Sequence, residues 1–399
     1  MDYDVIIVGA GPAGTSAAIR LAENGIRVLV LEEKHMPREK LCGEFITPES
    51  FPTLKRLSVF DRMVAAGAQK ITSLSLVTSS GKIVRVPIAD MSSEATWAMS
   101  LSRARFDHIL FDRARELGAT CLEGVAVKRP LYDGPAVCGI EALSLADGRG
   151  VTFKAPLIID ASGRNSRLLL SHSERVVGER GSRLYGLKAH LRGVDGIEDQ
   201  VELFFFPQGY GGLSRVEGGL VNLCFIAAER TFKDAGGDAS KVVSDSILKN
   251  RLARERLATS EVVGKWHSVG PLAFGKRRLS KGGIIAIGDA SGMIDPFTGT
   301  GIQIALRTGE MAAEAILEAG NRATDRGPNF GRVLAAYQAR YDLEFNSRMM
   351  AAGMLRGVAF SPGAANFLAG VFGRVPWLAR RVLRATRSGN NMRGAVKQN

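Results

Sequence analysis

Near the start of the chain, Gly9-Ala10-Gly11-Pro12-Ala13-Gly14 has the spacing with which a polypeptide holds a diphosphate. Gly9 permits a tight turn, Gly11 lets the backbone approach the phosphates, and Gly14 allows a helix to pack closely on a strand. A helix opening at Ala13 would aim free N–H groups and the positive end of its dipole at that diphosphate. Glu32 follows the next apolar run, Arg27–Leu31, where a carboxylate can accept from the hydroxyls of an unphosphorylated ribose. Strand, glycine turn, helix, strand and acid in this order predict a nucleotide-binding β-α-β unit.

That unit alone fits an NAD dehydrogenase, and two later segments point instead to FAD. Leu157-Ile158-Ile159-Asp160-Ala161-Ser162-Gly163 is an apolar strand ending in an acid and a glycine. Ile284-Ile285-Ala286-Ile287-Gly288-Asp289 is another, followed by Asp295-Pro296-Phe297-Thr298-Gly299-Thr300-Gly301-Ile302 and a long helical pattern. Asp289 can accept from a ribityl hydroxyl, a group that NAD lacks. The helix start over Gly299–Ile302 would direct N–H groups at the flavin N1–O2 edge, where reduced flavin carries negative charge.

These motifs, in this order, resemble the p-hydroxybenzoate hydroxylase-like flavoprotein superfamily, which includes aromatic monooxygenases, flavin-dependent halogenases and geranylgeranyl reductases. The resemblance covers about residues 1–320. Leu41-Cys42-Gly43-Glu44 and Arg103-Ala104-Arg105-Phe106-Asp107 are most similar to the archaeal geranylgeranyl reductases. It implies Cys42 and Arg103 as FAD contacts, Val127 as an adenine contact through its backbone, and Gly301 and Ile302 against the flavin ring. It also implies NAD(P)H as a transient electron donor. Cys42 is then either a flavin-adjacent thiol with a chemical role or a small packed residue. Glu44 is either a proton donor or a loop cap.

The tryptophans Trp97, Trp266 and Trp377 stand apart, so the Trp-x-Trp-x-x-Pro segment of the halogenases is missing. The Tyr-x-Trp-x-Phe-Pro pattern of the prenyl reductases survives only as Tyr210. On these grounds the leading expectation is an NAD(P)H-dependent monooxygenase acting on a hydrophobic or aromatic small molecule. Reduction of isoprenoid C=C bonds is the runner-up. A basic membrane- or nucleic-acid-binding protein with a structural flavin is the third reading, with nucleic acid disfavoured.

The elements that must position these residues interleave nucleotide-type strands with β-rich stretches. The expected fold is α/β: a Rossmann-type, GR2-like FAD-binding domain (1–70, 97–180 and 265–330), discontinuous around an inserted mixed β-sheet. That substrate sheet is expected over 71–96 and 181–264, and a basic helical C-terminal region over 331–399. Phe204, Phe206, Tyr210 and Leu213 on the inserted sheet are the expected substrate wall, together with Phe205. Single helices are expected over Thr53–Ala66 and roughly 238–257.

Bulk composition excludes other classes. Hydrophobic residues make up 45% and charged residues 23%, as in ordinary globular chains, and no apolar run approaches the ~18–20 residues that span a bilayer. Four cysteines without CxxC spacing predict reduced thiols and a cytoplasmic setting. The five histidines form no HxxxH, and no metal site is expected. Much of the net charge of +13 falls in the last stretch, where Arg348, Arg356, Arg374, Arg380, Arg381, Arg384, Arg387, Arg393 and Lys397 meet no Asp or Glu. Interleaved with Phe367, Val371, Phe372, Trp377 and Leu378, this charge suits peripheral membrane contact.

Overall fold

A computed structural model describes residues 2–79, 81–166, 168–169, 183–320 and 329–359, with backbone alone at 351 and 353–359. In chain order the elements are β1 (Val5–Val8), α1 (Pro12–Ala22), β2 (Val28–Leu31), β3 (Phe45–Ile46), α2 (Phe51–Arg56), α3 (Phe60–Ala65), β4 (Gln69–Ile71), β5 (Ser73–Val77), β6 (Ile83–Pro87), α4 (Ile88–Met91), β7 (Ala98–Ser100), α5 (Arg103–Glu116), β8 (Thr120–Leu122), β9 (Val125–Asp133), β10 (Ala136–Ser144), β11 (Gly150–Lys154) and β12 (Leu157–Asp160). The second half carries β13 (Leu184–Arg192), β14 (Gln200–Phe206), β15 (Gly209–Arg215), β16 (Val221–Ala228), α6 (Glu229–Asp234), α7 (Ala239–Asp245), α8 (Arg251–Leu257), β17 (Glu261–Leu272), β18 (Gly275–Lys276), β19 (Ser280–Lys281), β20 (Ile284–Ala286), β21 (Gly292–Met293), α9 (Gly301–Glu318) and α10 (Phe330–Ala359).

Short all-apolar strands must be buried on both faces, and a parallel sheet supplies that environment. The strands align in the order β19-β20-β12-β1-β2-β8, parallel except at the β19 edge. Alternation then divides their side chains. Val5, Ile7, Val28, Val30 and Ile159 pack under α1, α5 and α9. Ile6, Val8, Leu29, Leu31 and Ile158 pack against the meander β9–β11 through Val127, Val137 and Ile140. In register, Val8 lies opposite both Leu31 and Asp160, so the three segments that carry the glycine turn, Glu32 and Asp160 end side by side.

The inserted sheet has the order β17-β13-β16-β15-β14-β5-β6 and is antiparallel apart from the β14–β5 pair. One face packs on α6–α8 and the other looks toward the cofactor domain. β17 continues this sheet to Leu272, so the boundary expected at 265 falls inside a strand.

Two expected helices are broken. Ser58, at φ 58°, separates α2 from α3 and lets both Leu57 and Val59 enter the core. Between α7 and α8, the Asn250 side chain accepts from the Leu252 and Ala253 N–H groups and starts a new helix. The C-terminal tail beyond 359, with the apolar residues assigned to lipid contact and the basic residues from Arg374 onward, lies outside the described residues; Arg348, counted with that basic stretch, is instead buried.

α10 buttresses the cofactor sheet. The Tyr337 hydroxyl donates to the Ala286 carbonyl (2.8 Å) at the end of β20, and Arg348 donates to Gln303 (2.7 Å) in the first turn of α9. Tyr337→Phe should lower the free energy of unfolding by ~1 kcal/mol, because the buried Ala286 carbonyl loses its hydroxyl partner. Urea unfolding with the flavin bound checks this.

Candidate functional site

Gly9 adopts φ 106°, and a Cβ there would lie 2.4 Å from the Ala161 carbonyl oxygen. A Cβ on Gly14 would fall 2.0 Å from the Gly9 carbonyl oxygen. Gly11 differs: the nearest heavy atom to its would-be Cβ is 3.9 Å away, on Arg38. The first two glycines are therefore required by packing, and the third faces free space. α1 starts there with no capping side chain and no acid in its first turn. An anion can use those N–H groups.

Glu32 is fixed beside this turn. Its carboxylate accepts from the Ala10 N–H (2.9 Å), the Lys34 N–H (3.1 Å) and the Arg38 guanidinium (3.1 Å). The Val125 N–H donates to the Glu32 carbonyl, which brings the start of β9 and Val127 to the same corner. The Val127 side chain is buried, so only its backbone is available to a base.

Asp160 is turned inward, and the expectation of a cofactor contact is corrected. Its carboxylate accepts from the Ser162 N–H and hydroxyl, the Ser166 hydroxyl and the Leu168 N–H. It shapes the loop that holds Gly163 at φ 82°. Asp289 is the carboxylate left in the cleft. Gly288, at φ 59°, puts its Cβ position 2.9 Å from the Ala13 side chain, which sets Asp289 over the start of α1. Burial raises the Asp289 pKa, opposed by the charges of Lys40, Arg103, Arg277 and Arg164. That excess of cations suits a diphosphate.

Asp295 organises the last motif by accepting from the Phe297 N–H (2.9 Å) and the Tyr210 hydroxyl (2.8 Å). Pro296 opens a single 3₁₀ turn, Gly299 closes it at φ 67°, and α9 then starts with no capping side chain and no acid in its first turn. No heavy atom lies within 4 Å of the Cβ position of Gly301. The Ile302 side chain belongs to the core, so its N–H is what it can offer a ring. Two uncapped helix starts, the Glu32 corner and Asp289 fit the diphosphate, flavin edge, ribose and ribityl chain of FAD.

The inserted sheet corrects part of the expected substrate wall. Phe204, Phe206 and Leu213 point away from the cofactor domain, into the core under α6–α8. Strand alternation puts Phe205 and Tyr210 on the opposite face, with the Phe297 ring 5.8 Å from Phe205 and 5.6 Å from Tyr210.

On the same face lies a charged cluster that sequence reading missed. Lys188 Nζ, almost fully buried, donates to Glu39 (2.7 Å) and Glu44 (2.5 Å). His190 Nε2 is 2.7 Å from the other Glu44 oxygen, and the Arg103 N–H donates to Glu44 (2.8 Å). Beyond Glu44, its sequence signal is the two-residue spacing of Lys188 and His190 in a largely apolar strand. Burial resists ionisation of Glu44, but the His190 hydrogen bond and the Lys188 and His190 charges outweigh it and lower its pKa. Of the two expected roles, proton donor or cap, these contacts favour the cap, with Glu44 held as a carboxylate. Burial likewise opposes the Lys188 charge, yet Glu44 and Glu39 raise its pKa.

Ligand atoms of Glu39, Glu44 and His190 lie within 4.8 Å of one another, an arrangement the sequence did not suggest. The Lys188 ammonium already bridges the two carboxylates there. Adjoining the cluster, a 440 Å³ pocket is lined by its Glu39 and His190 together with Arg105, His108 and Glu217.

Cys42 sits half-buried beside this cluster. Its sulfur accepts from the Glu44 N–H (3.3 Å), its carbonyl accepts from Asn222 Nδ2 (3.0 Å), and its thiol neighbours the Arg103 guanidinium. Arg103 is buried and donates twice to Asp107, at 2.7 and 2.8 Å.

Ionisation at the cluster sets a pH window. The folded pKa of Glu44 is below its ordinary 4.5, so its contribution is complete above that value and is lost as pH falls through the depressed one. Lys188 has a folded pKa above 10.5, so its contribution is complete below that value and is lost as pH rises through the raised one. Glu44→Gln should therefore lower the melting temperature at neutral pH, and the gap from wild type should close below pH 4.5. Melting curves from pH 7 to 3 test this.

The FAD binding domain family matches residues 2–326, and the chain belongs to that family. It is an FAD-dependent oxidoreductase, of the superfamily expected from its motifs. It is 30% identical over 359 residues to digeranylgeranylglycerophospholipid reductase 2 of Methanopyrus kandleri, covering 86% of this chain and 83% of that protein. It is 22% identical to a 1H-pyrrole-2-carbonyl-[peptidyl-carrier protein] chlorinase of Pseudomonas fluorescens, covering 80% and 76%. A geranylgeranyl bacteriochlorophyll reductase-like protein from Thermoplasma acidophilum shares the fold with a TM-score of 0.79 at 18% identity, covering 97% of this chain and 96% of that one. Among the described residues, no helix is long and apolar enough to cross a membrane.

Proposed function

We propose that the chain is an FAD-dependent reductase of carbon–carbon double bonds in a long apolar, isoprenoid-type substrate. This reverses the order of the two leading readings drawn from the motifs. Cys42 carries the proposal: a thiol beside a buried guanidinium, on the side of the inserted sheet that faces the cofactor domain. Bound FAD, refilled from NAD(P)H, would supply hydride to one alkene carbon. The protein must supply a proton to the other, and we assign that proton to the Cys42 thiol. Glu44 is already a carboxylate, and the Tyr210 hydroxyl is engaged by Asp295 with its pKa raised by burial. Phe205, Tyr210 and Phe297 would hold the chain of the substrate. The likeness to a prenyl-lipid reductase supports this reading.

The test is anaerobic. Enzyme reduced with NAD(P)H should be reoxidised by a prenyl alkene such as geranylgeraniol, with saturated product. Product formed only with oxygen and carrying a new hydroxyl, or only with halide and oxygen, would refute the reductase reading.

We also propose that the basic end of the chain brings the enzyme to anionic membranes, where such substrates reside. Binding to vesicles containing phosphatidylglycerol should fall steeply with salt and disappear when residues 365–399 are removed.

A further inference from the structure

Burying an ammonium between two carboxylates is costly unless the cluster does something for the molecule. Glu39, Cys42 and Glu44 lie on one irregular segment between β2 and β3, whereas Lys188, His190 and Asn222 lie on β13 and β16 of the inserted sheet. The polar holds between the two are Lys188 to Glu39, Glu44 and the Lys40 carbonyl, His190 to Glu44, and Asn222 to the Cys42 carbonyl, and the Leu41 side chain packs over Gly186 of β13. Glu44 itself has φ 58°, a left-handed backbone that a non-glycine residue keeps only when its surroundings fix it. The same carboxylate receives the Arg103 N–H, so one side chain ties the thiol loop, the inserted sheet and the start of α5 together.

We infer that Lys188 is the positioning residue for Cys42, latching the thiol loop to the inserted sheet through Glu39 and Glu44, with Asn222 as a second, independent hold. Lys188 does not touch substrate: its donors go to Glu39, Glu44 and the Lys40 carbonyl. Its role is to keep Cys42 beside Arg103. This rests on the reading of Cys42 as the proton source, but it can be measured without any substrate.

Lys188→Met alone would leave the buried Glu44 carboxylate without its ammonium partner, so the informative protein is the FAD-loaded full chain with Lys188→Met and Glu44→Gln together, which removes one charge of each sign. Iodoacetamide labelling of the oxidised enzyme, located by mass spectrometry with Cys138 as internal reference, reports the loop. Cys42 should label at least tenfold faster than in wild type with FAD occupancy retained, and Asn222→Ala should shift it in the same direction. On a prenyl alkene, kcat should fall with KM little changed. Labelling within twofold of wild type in a folded, yellow variant would overturn the latch. If the double variant does not hold FAD, Asn222→Ala decides by the same criterion. Should thiol reactivity change while no alkene is reduced by any variant or by wild type, the latch stands and the reductase reading falls.

Discussion

Gly14→Ala yields protein that is colourless as purified and less stable by about 3 kcal/mol, the upper end of ordinary overpacking. The added methyl would lie 2.0 Å from the Gly9 carbonyl oxygen and 3.1 Å from the Ala161 side chain. Neither obstacle is the flexible end of a side chain. Relief requires α1 to move off β1, and that shift carries away the N–H groups that meet the diphosphate. A loss of this size corresponds to roughly 100-fold in FAD affinity if it falls entirely on binding. Gly11→Ala provides the contrast, since its methyl would have 3.9 Å of clearance. It should fold with a near-normal melting temperature in the absence of FAD and still bind the cofactor weakly, because the methyl occupies space meant for phosphate. Flavin absorbance after gel filtration and melting of both apoproteins distinguish the two outcomes. Equal melting losses in the pair would show that Gly14 is not a packing requirement.

Cys42→Ala should reduce alkene-dependent turnover by roughly 10²–10⁴-fold, the usual contribution of a positioned proton donor, with FAD retained. The side chain is small and half-buried, so its removal costs little packing. The bonds from the Glu44 carboxylate to Lys188 and His190 do not involve the sulfur, although the Glu44 N–H loses it as acceptor. Rapid-reaction kinetics separate the effect: flavin reduction by NAD(P)H should proceed at the wild-type rate, and only reoxidation by alkene should slow. Slowing of both half-reactions to a similar extent would assign Cys42 to cofactor placement instead.

The cofactor was legible in the sequence because its signals are local. A glycine turn between strand and helix, an acid at the end of a strand, and a glycine-bounded helix start each bind through backbone geometry that a few consecutive residues dictate. The β-α-β unit over Val5–Leu31 follows from such a run, and so do the positive φ values of Gly9, Gly288 and Gly299. Position next to a strand end gave no indication of where Asp160 would point. Its carboxylate turned inward because Ser162 and Ser166 of the following loop supplied hydroxyls.

The face that each residue of the inserted sheet presents was decided by tertiary structure alone. Phe204, Phe205 and Phe206 are equivalent in composition and adjacent in sequence, but alternation sends the middle one toward the cofactor domain and its neighbours under α6–α8. Lys188 lies 149 residues from Glu39 and 144 from Glu44 along the chain, and no local pattern marks them as partners. Their charges become tolerable in the interior only when folding brings opposite signs to hydrogen-bonding distance. The amino-acid order therefore determined which cofactor is held and by which turns. Long-range packing decided which side chains face it, because burial, ionisation and pairing are properties of the assembled interior rather than of any segment.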